Sequence, residues 1–402
     1  MLTTYRRILA VPGAALFSAT GLVARLPISM QGLGIVLLVV GTTGSYGLAG
    51  SVAGATTVAN AVASILQGRY LDRLGQGRVL PALILAWGVA LGLLVVSVHA
   101  DWPRWTAYLF GVVAGLMLPP VGTCVRARWS YVLVEPRQVQ TAYALESVVD
   151  EAVFIAGPIL VTALATSWDP VAGLAAAIIA GIGGTVLFAA QRGTEPPPHP
   201  KVIAVEDRPR MPWRTVLPLA VVALALGSLF GSAEVTTVAF AREHGAEGVT
   251  GLLLALWSLG SLLAGVATGA VQWQVGPAGR LRVGTAALTL GMSPLGLIGP
   301  IWLMGAALFL AGFAIAPTLI ATLSLVEQTV PSARLSEGMS FIHTGIAAGL
   351  APGAALSGIV IDAAGASPAY LVAVGAGVVA ALTAQTLPRP AADVPATRSP
   401  GR

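Results

Sequence analysis

Six titratable side chains stand inside long apolar stretches of this sequence: Arg25, Glu146, Asp150, Glu151, Glu234 and His343. An ionised group at bilayer depth costs at least ~2.5 kcal/mol, so each needs a partner, a water-filled cavity or a task. Glu146, Asp150 and Glu151 share one segment. Helical spacing puts Glu146, Asp150 and Gly157 on one face and turns Glu151 towards Ser147 and Pro158. Neighbouring carboxyls in an apolar setting are suited to taking up and releasing a proton near neutral pH, Asp150 and Glu151 above all. The competing reading is that these acids pair with Arg126 and Arg128 at the end of the preceding segment, or reach water; the residues alone leave both open. Arg25 and Glu234 sit at comparable depth in two other segments, which suggests an ion pair; equally, Arg25 can snorkel and Glu234 can hydrogen-bond to Ser232 or Thr237. His343, beside Ser340 and Thr344, is either a further proton carrier or a hydrogen-bonded packing residue.

These residues are carried by a chain of 402 residues, 56% hydrophobic and 10% charged, with a mean hydropathy of +0.83. Such values exclude a soluble globule and describe a polytopic membrane protein. Apolar runs such as Pro81 to Val98 and Leu217 to Val235 reach the roughly 20 residues that cross hydrocarbon. Division at the polar loops predicts an all-α protein with twelve transmembrane spans. They fall at 8–30, 45–67, 80–98, 105–125, 142–166, 171–191, 214–240, 250–272, 281–299, 301–325, 338–361 and 368–387. Pro27 to Gly44 fits this division least well, and its apolar Ile35 to Val40 is assigned to the outer interface. The stretch 192–213, RGTEPPPHPKVIAVEDRPRMPW, reads as a linker. The expected organisation is an N-terminal six-helix bundle at 1–191, the linker, a C-terminal six-helix bundle at 214–387 and a tail at 388–402. A repeat supports it: Pro120 to Pro158, through Glu135-Pro136, recurs as Pro317 to Pro352, through Val330-Pro331.

Of the 22 Lys+Arg, 19 fall on one side of these spans, all but Arg25, Arg104 and Arg242. The positive-inside rule makes that side, with both termini and the linker, cytoplasmic. The net charge of +5 therefore reports topology, and no nucleic-acid partner is expected. Arg6 and Arg7 precede an apolar run that lacks a small-residue cleavage site, so the first span is expected to be retained. One cysteine, Cys124, excludes an intrachain disulfide, and no metal or cofactor is expected. Trp102, Trp105 and Trp168 fall at segment ends, as interfacial anchors do. Arginine exceeds lysine 21 to 1, which points to a high-GC bacterial genome and an inner or plasma membrane.

Between the second and third spans, Gly68 to Leu80 (GRYLDRLGQGRVL) sets four charged residues and three glycines in one short loop. Gly68, Asp72, Arg73, Gly75 and Arg78 fill the pattern G-x-x-x-D-R-x-G-x-x-R. In this the chain resembles the major facilitator superfamily of secondary transporters, and among them bacterial, actinobacterial-type drug and metabolite efflux members. The resemblance runs over the whole chain. It implies two six-helix bundles around a central cavity that opens to each side in turn. It implies that Asp72 meets the N-terminus of the eleventh span near Ser336 and Glu337, with Arg73 and Arg78 completing a charge network; a solvated turn is the plainer alternative. By the same resemblance Gly157-Pro158 on the fifth span and Gly349, Pro352 and Gly353 on the eleventh form a pivot between bundles. Val149, Val153, Val161 and Thr162 stand where glycines usually flank the first pair, and Pro119-Pro120 stand where the fourth span usually carries an arginine. Because the first and seventh spans line the cavity in this family, a pair between Arg25 and Glu234 would close the outer gate. Asn60, Gln67, Tyr46, Tyr143 and Trp257 are the expected cavity lining.

The leading expectation is a monomeric, proton-coupled exporter of small amphipathic compounds, with protons, a small-molecule substrate and membrane lipids as partners. An importer of a nutrient or metabolite on the same fold is the chief alternative, and a non-transporting membrane sensor or scaffold the alternative from another class. No His-rich set, nucleophile arrangement or phosphate loop points to an enzyme.

Overall fold

The computed structural model describes residues 2–198, 210–270, 275–331 and 334–387. Among them the chain forms fifteen α-helices and no strand. The first half comprises α1 (Leu2–Leu9), α2 (Ala14–Thr43), α3 (Tyr46–Leu74), α4 (Gln76–His99), α5 (Arg104–Met117), α6 (Val121–Val132), α7 (Pro136–Ser167) and α8 (Pro170–Ala190). The second comprises α9 (Trp213–Glu243), α10 (Thr250–Ala270), α11 (Pro277–Met292), α12 (Ile301–Gly312), α13 (Ile315–Thr329), α14 (Leu335–Ala364) and α15 (Ala366–Gln385). Ten of these helices or continuous helix pairs are long and apolar enough to cross a membrane, eleven if the bent α3 counts as one. The pairs are α5 with α6 and α12 with α13. The 16 residues of α11 fall short of that length, and a 3₁₀ turn at Leu295–Leu297 follows it. We call the side where α2 begins the near side and the side where it ends the far side.

Two expected boundaries move. The first span does not begin at residue 8: α1 stops at Leu9, and the chain turns through Gly13, whose φ of +80° only glycine adopts freely, before α2 starts. Pro27 then lies inside α2 rather than at its end, its ring packed beside Gly181 of α8, and Ile35 to Val40 are buried helix rather than interface. A proline inside a spanning helix is tolerated where neighbours fill the space around it. The polar loop at Gly68 also proves mostly helical. Gly68, Asp72 and Arg73 occupy the last turns of α3, and only Gly75, at φ +87°, breaks the chain before α4.

Packing follows the small residues. α2 packs on α3, α7 and α8, α3 on α5, and α4 on α5 and α8; α9 packs on α14 and α15, α10 on α12 and α13, and α11 on α13 and α15. Between the halves, α3 runs along α14 and α7 along α10. On the lipid-facing outside, Trp105 and Trp168 are 64% and 83% exposed at helix ends, as interfacial aromatics should be.

Candidate functional site

The acids of α7 are drawn together by α2 and α6. Arg25, only 5% exposed, bridges two of them: Nη2 lies 2.5 Å from Glu146 Oε2 and Nη1 2.6 Å from Asp150 Oδ1. Its Nε donates to the Gly21 carbonyl at 3.0 Å, which fixes the plane of the guanidinium. Glu146 is fully buried and its other oxygen accepts from Ser18 Oγ at 2.9 Å and Trp129 Nε1 at 2.8 Å. Asp150, half-buried, turns its second oxygen to Arg126 Nη2 at 2.6 Å. The cluster is thus a chain, Glu146–Arg25–Asp150–Arg126, sealed at the glutamate end and open at the arginine end. Two acids and two bases balance, which is how ionised groups survive at this depth.

This arrangement corrects the pairing of Arg25 with Glu234. Arg25 lies eleven residues into α2, about 16 Å from its near end, whereas Glu234 lies 21 residues into α9, about 32 Å along. Once the first span begins at Ala14 the two depths no longer match. Glu234 instead lies over Gly32 of α2, its Oε1 3.4 Å from where a Cβ would project. The polar neighbours offered to it by sequence are engaged elsewhere, Ser232 with Ser357 at 2.6 Å and Thr237 with Tyr370 at 3.2 Å. No hydrogen bond or ion pair joins Glu234 or Glu151 to another described residue.

Of the two arginines at the end of the fourth span, only Arg126 meets the acids. Arg128 is fully buried and faces away from them, donating through Nε to Gln76 Oε1 at 2.9 Å and through Nη1 to the Gln191 carbonyl and Thr194 Oγ1, both at 2.9 Å. It also stacks over the Phe188 ring at 3.8 Å. Here a cation closes the carbonyl end of α8. Beside it Glu195 accepts from Gly77 N at 3.0 Å and from Arg192 at 3.1 Å, while Arg192 donates to the Gly77 carbonyl at 2.8 Å. The α3–α4 turn is therefore clasped by the residues that follow α8. Asp72, Arg73 and Arg78 are exposed, and Asp72 forms no hydrogen bond or ion pair with a described residue. The side chains of Ser336 and Glu337, its expected neighbours, lie outside the described residues.

Asn60 and Gln67 turn out to be structural. Pro119 and Pro120 carry no N–H, so the carbonyls four residues earlier, Gly115 and Leu116, lose their helical donors. Asn60 Nδ2 donates to Gly115 at 3.2 Å and to Leu118 at 3.0 Å, and Gln67 Nε2 donates to Leu116 at 2.6 Å. Two side chains of α3 thus supply what two prolines remove. Tyr143 is exposed and bonds Ser130 at 2.5 Å; Tyr46 and Trp257 are buried, and Trp257 packs edge-on to Phe230. His343 is exposed, with Nδ1 2.9 Å from the Met339 carbonyl one turn back.

Glycines set the helix spacing where the halves meet. A Cβ at Gly54 would lie 2.4 Å from Ala351 Cα, one at Gly50 2.3 Å from the Ala354 carbonyl, and one at Gly358 2.3 Å from the Tyr46 carbonyl. This seam closes the far side. Towards the near side Gly68 has no neighbour within 4 Å. Gly349 and Gly353 serve a different contact, pressing α14 against Leu224 and Ser228 of α9. Gly157 seats Ser29 of α2, and the Pro158 carbonyl abuts Gly251 of α10, so α7 touches both halves around that pair. Two residues passed over in the sequence hold the seam at its far edge: Asp362 caps α3, and Arg242 Nη1 donates to the Val40 carbonyl of α2 at 3.1 Å. An acid in the last turn of a helix, where the dipole disfavours it, was the available signal for Asp362.

No curated protein matches the sequence. Solved transporters match the fold. The nucleoside transporter NupG superposes with a TM-score of 0.68 at 15% identity over 92% of this chain and 98% of its own. A POT family transporter in complex with a thioalcohol-conjugated peptide gives 0.72 at 11% identity over 93% and 94%. The human organic anion transporter MFSD10 (TETRAN) gives 0.64 at 15% identity over 93% and 100%. Residues 17–304, well over half of the chain, match the sequence profile of the Major Facilitator Superfamily, so the chain belongs to that superfamily and is a membrane transporter rather than an enzyme.

Proposed function

We propose that this transporter is a proton-coupled exporter of small amphipathic molecules working by alternating access. The observation that carries the coupling is a charge imbalance in the interior. Glu146 and Asp150 are matched by Arg25 and Arg126, whereas Glu151 and Glu234 have no basic partner among the described residues. A carboxyl at bilayer depth without a cation is stable when protonated and reactive towards cations when not, which is what proton exchange against a substrate uses. Asp150 stands between the sealed pair and Glu151, so it is the relay through which protonation of one site is felt by the arginines.

The remaining topology follows the same reading. Twelve spans result when α11 and its 3₁₀ extension count as a short one, and the near side is then cytoplasmic with both termini. Residues 1–191 and 214–387 form the two rocking six-span halves in this reading. The far-side seam corresponds to the state open to the cytoplasm, in which an exporter loads. A monomer in a bacterial plasma membrane suffices for this mechanism. Import of a metabolite on the same cycle is the second reading; a nucleoside transporter and a peptide-bound POT family transporter share the fold.

The test follows a preloaded fluorescent cationic dye leaving cells that express the parent or Asp150→Asn, with and without a protonophore. Energy-dependent extrusion by the parent, lost in the variant and in uncoupled cells, is expected. Extrusion no faster than from empty cells would remove export of such compounds.

A further inference from the structure

α3 and α14 run antiparallel across the seam, so the first turn of α3 lies against the last turn of α14, and the last turn of α3 stands at the same end of the pair as the first turn of α14. Asp362 is the third residue from the end of α14, and its carboxylate lies on the first turn of α3. It accepts from Tyr46 N at 2.8 Å, Gly47 N at 2.9 Å and Ser45 Oγ at 3.0 Å. Asp72 is likewise the third residue from the end of α3, at the other end of the same helix pair. There it is exposed and without a hydrogen-bond or ion-pair partner among the described residues. A few residues away, Arg242 from the end of α9 donates to the last turn of α2 and pairs with Glu247 at 3.0 Å. The far end of the α2–α3 hairpin thus meets an acid on its N–H end and a base on its carbonyl end, both supplied by the second half. Each sign matches the helix end it faces.

We infer that Asp362 is the far-side gate residue of this transporter, the opposite-side counterpart of the capping role that the resemblance to the superfamily implies for Asp72. With the far side closed, Asp362 holds the three donors at the start of α3 while Asp72 stands in water. When the halves rock, the first turn of α3 leaves Asp362 and the first turn of α14 arrives at Asp72. One set of charge-to-N–H bonds is exchanged for another of the same kind, so neither closed state is a deep trap. The inference extends the gating role that the resemblance implies for Asp72, and it needs no assumption about substrate, direction or coupling.

The test measures the two closed populations in substrate-free protein in lipid nanodiscs, without a proton gradient. Spin labels are placed on the exposed far-side positions Ala100 and Leu297, and in a separate preparation on the near-side positions Val134 and Gln328. Asp362→Ala should raise the ratio of far-open to far-closed molecules roughly fivefold, the scale of one carboxylate at a helix N-terminus. Asp72→Ala should shift the ratio the opposite way, and the double variant should return towards the parent. Asp362→Asn, which keeps shape and one acceptor, should shift the ratio in the same direction by less, and it serves if the alanine variant folds poorly. Equal ratios in parent and Asp362→Ala, or shifts of the same sign at both positions, would overturn the inference. Neither result bears on the dye experiment, which reads extrusion and its dependence on Asp150 and the proton gradient.

Discussion

Removing Arg25 should damage this protein more than removing either of its partners, because one guanidinium serves two acids, one fully and one half-buried. In Arg25→Met, Glu146 and Asp150 remain one helical turn apart, with Arg126 reaching only Asp150. Glu146 is fully buried, so its charge loses its counterion without gaining water. Breaking a buried pair from one side costs about 3–5 kcal/mol, which for a chain of this size is a fall of about 5 °C or more in melting temperature. Glu146→Gln is milder. The amide oxygen still accepts from Ser18 and Trp129, and Arg25 still has Asp150, so about 1–3 kcal/mol is lost. The double variant leaves Asp150 and Arg126 as a neutral pair, so its loss should fall short of the sum of the singles by about 1.5 kcal/mol or more. Intrinsic-fluorescence melting of the four proteins in one detergent measures all three quantities. Additive losses, or an Arg25→Met variant as stable as the parent, would refute the cluster as an energetic unit.

Two further outcomes follow from the geometry. Asn60→Ala and Gln67→Ala each orphan a carbonyl already deprived of its helical donor by Pro119 or Pro120, and each should lower stability by about 1–3 kcal/mol; in a chain that also carries Pro119→Ala, the Asn60 variant should cost less by the same melting assay, because only the Leu118 carbonyl then loses its donor. Gly54→Leu places a side chain where Ala351 of α14 already lies, so the far side should fail to close; thiol labelling of a cysteine at Ala354, buried in the seam, should then become rapid in membranes where it is slow without the leucine.

The spans were legible because hydropathy over twenty residues is a strong signal, and most boundaries moved by only a few residues. The first span was misplaced because the break between α1 and α2 at Gly13 falls inside an apolar run that reads as continuous, and because α2 runs on through Pro27, where Gly181 makes room for its ring, to Thr43. The acids of α7 were recognisable as costly and Arg126 as a partner for them, yet Arg25 was assigned elsewhere, since pairing depends on depth and depth on where α2 starts. Asn60 and Gln67 looked like cavity lining because the carbonyls they satisfy belong to another helix 50 residues away. Arg128 gave no warning of its burial: two arginines spaced by one residue differ only in which face of α6 they occupy, and one face meets α7 while the other meets Gln76 and the end of α8.

The closest approaches across the far-side seam are made by residues with no rotamers. Gly50 meets Ala354, Gly54 meets Ala351 and Gly358 meets the Tyr46 carbonyl and Gly47, all at backbone distance. Long side chains surrender up to about 2 kcal/mol of conformational entropy each when a contact immobilises them, and glycine and alanine surrender none. Closing this seam therefore freezes little, and opening it releases little. A surface so nearly silent in entropy can separate and rejoin many thousands of times with neither state favoured by disorder, leaving the choice between them to the few charges at its edges.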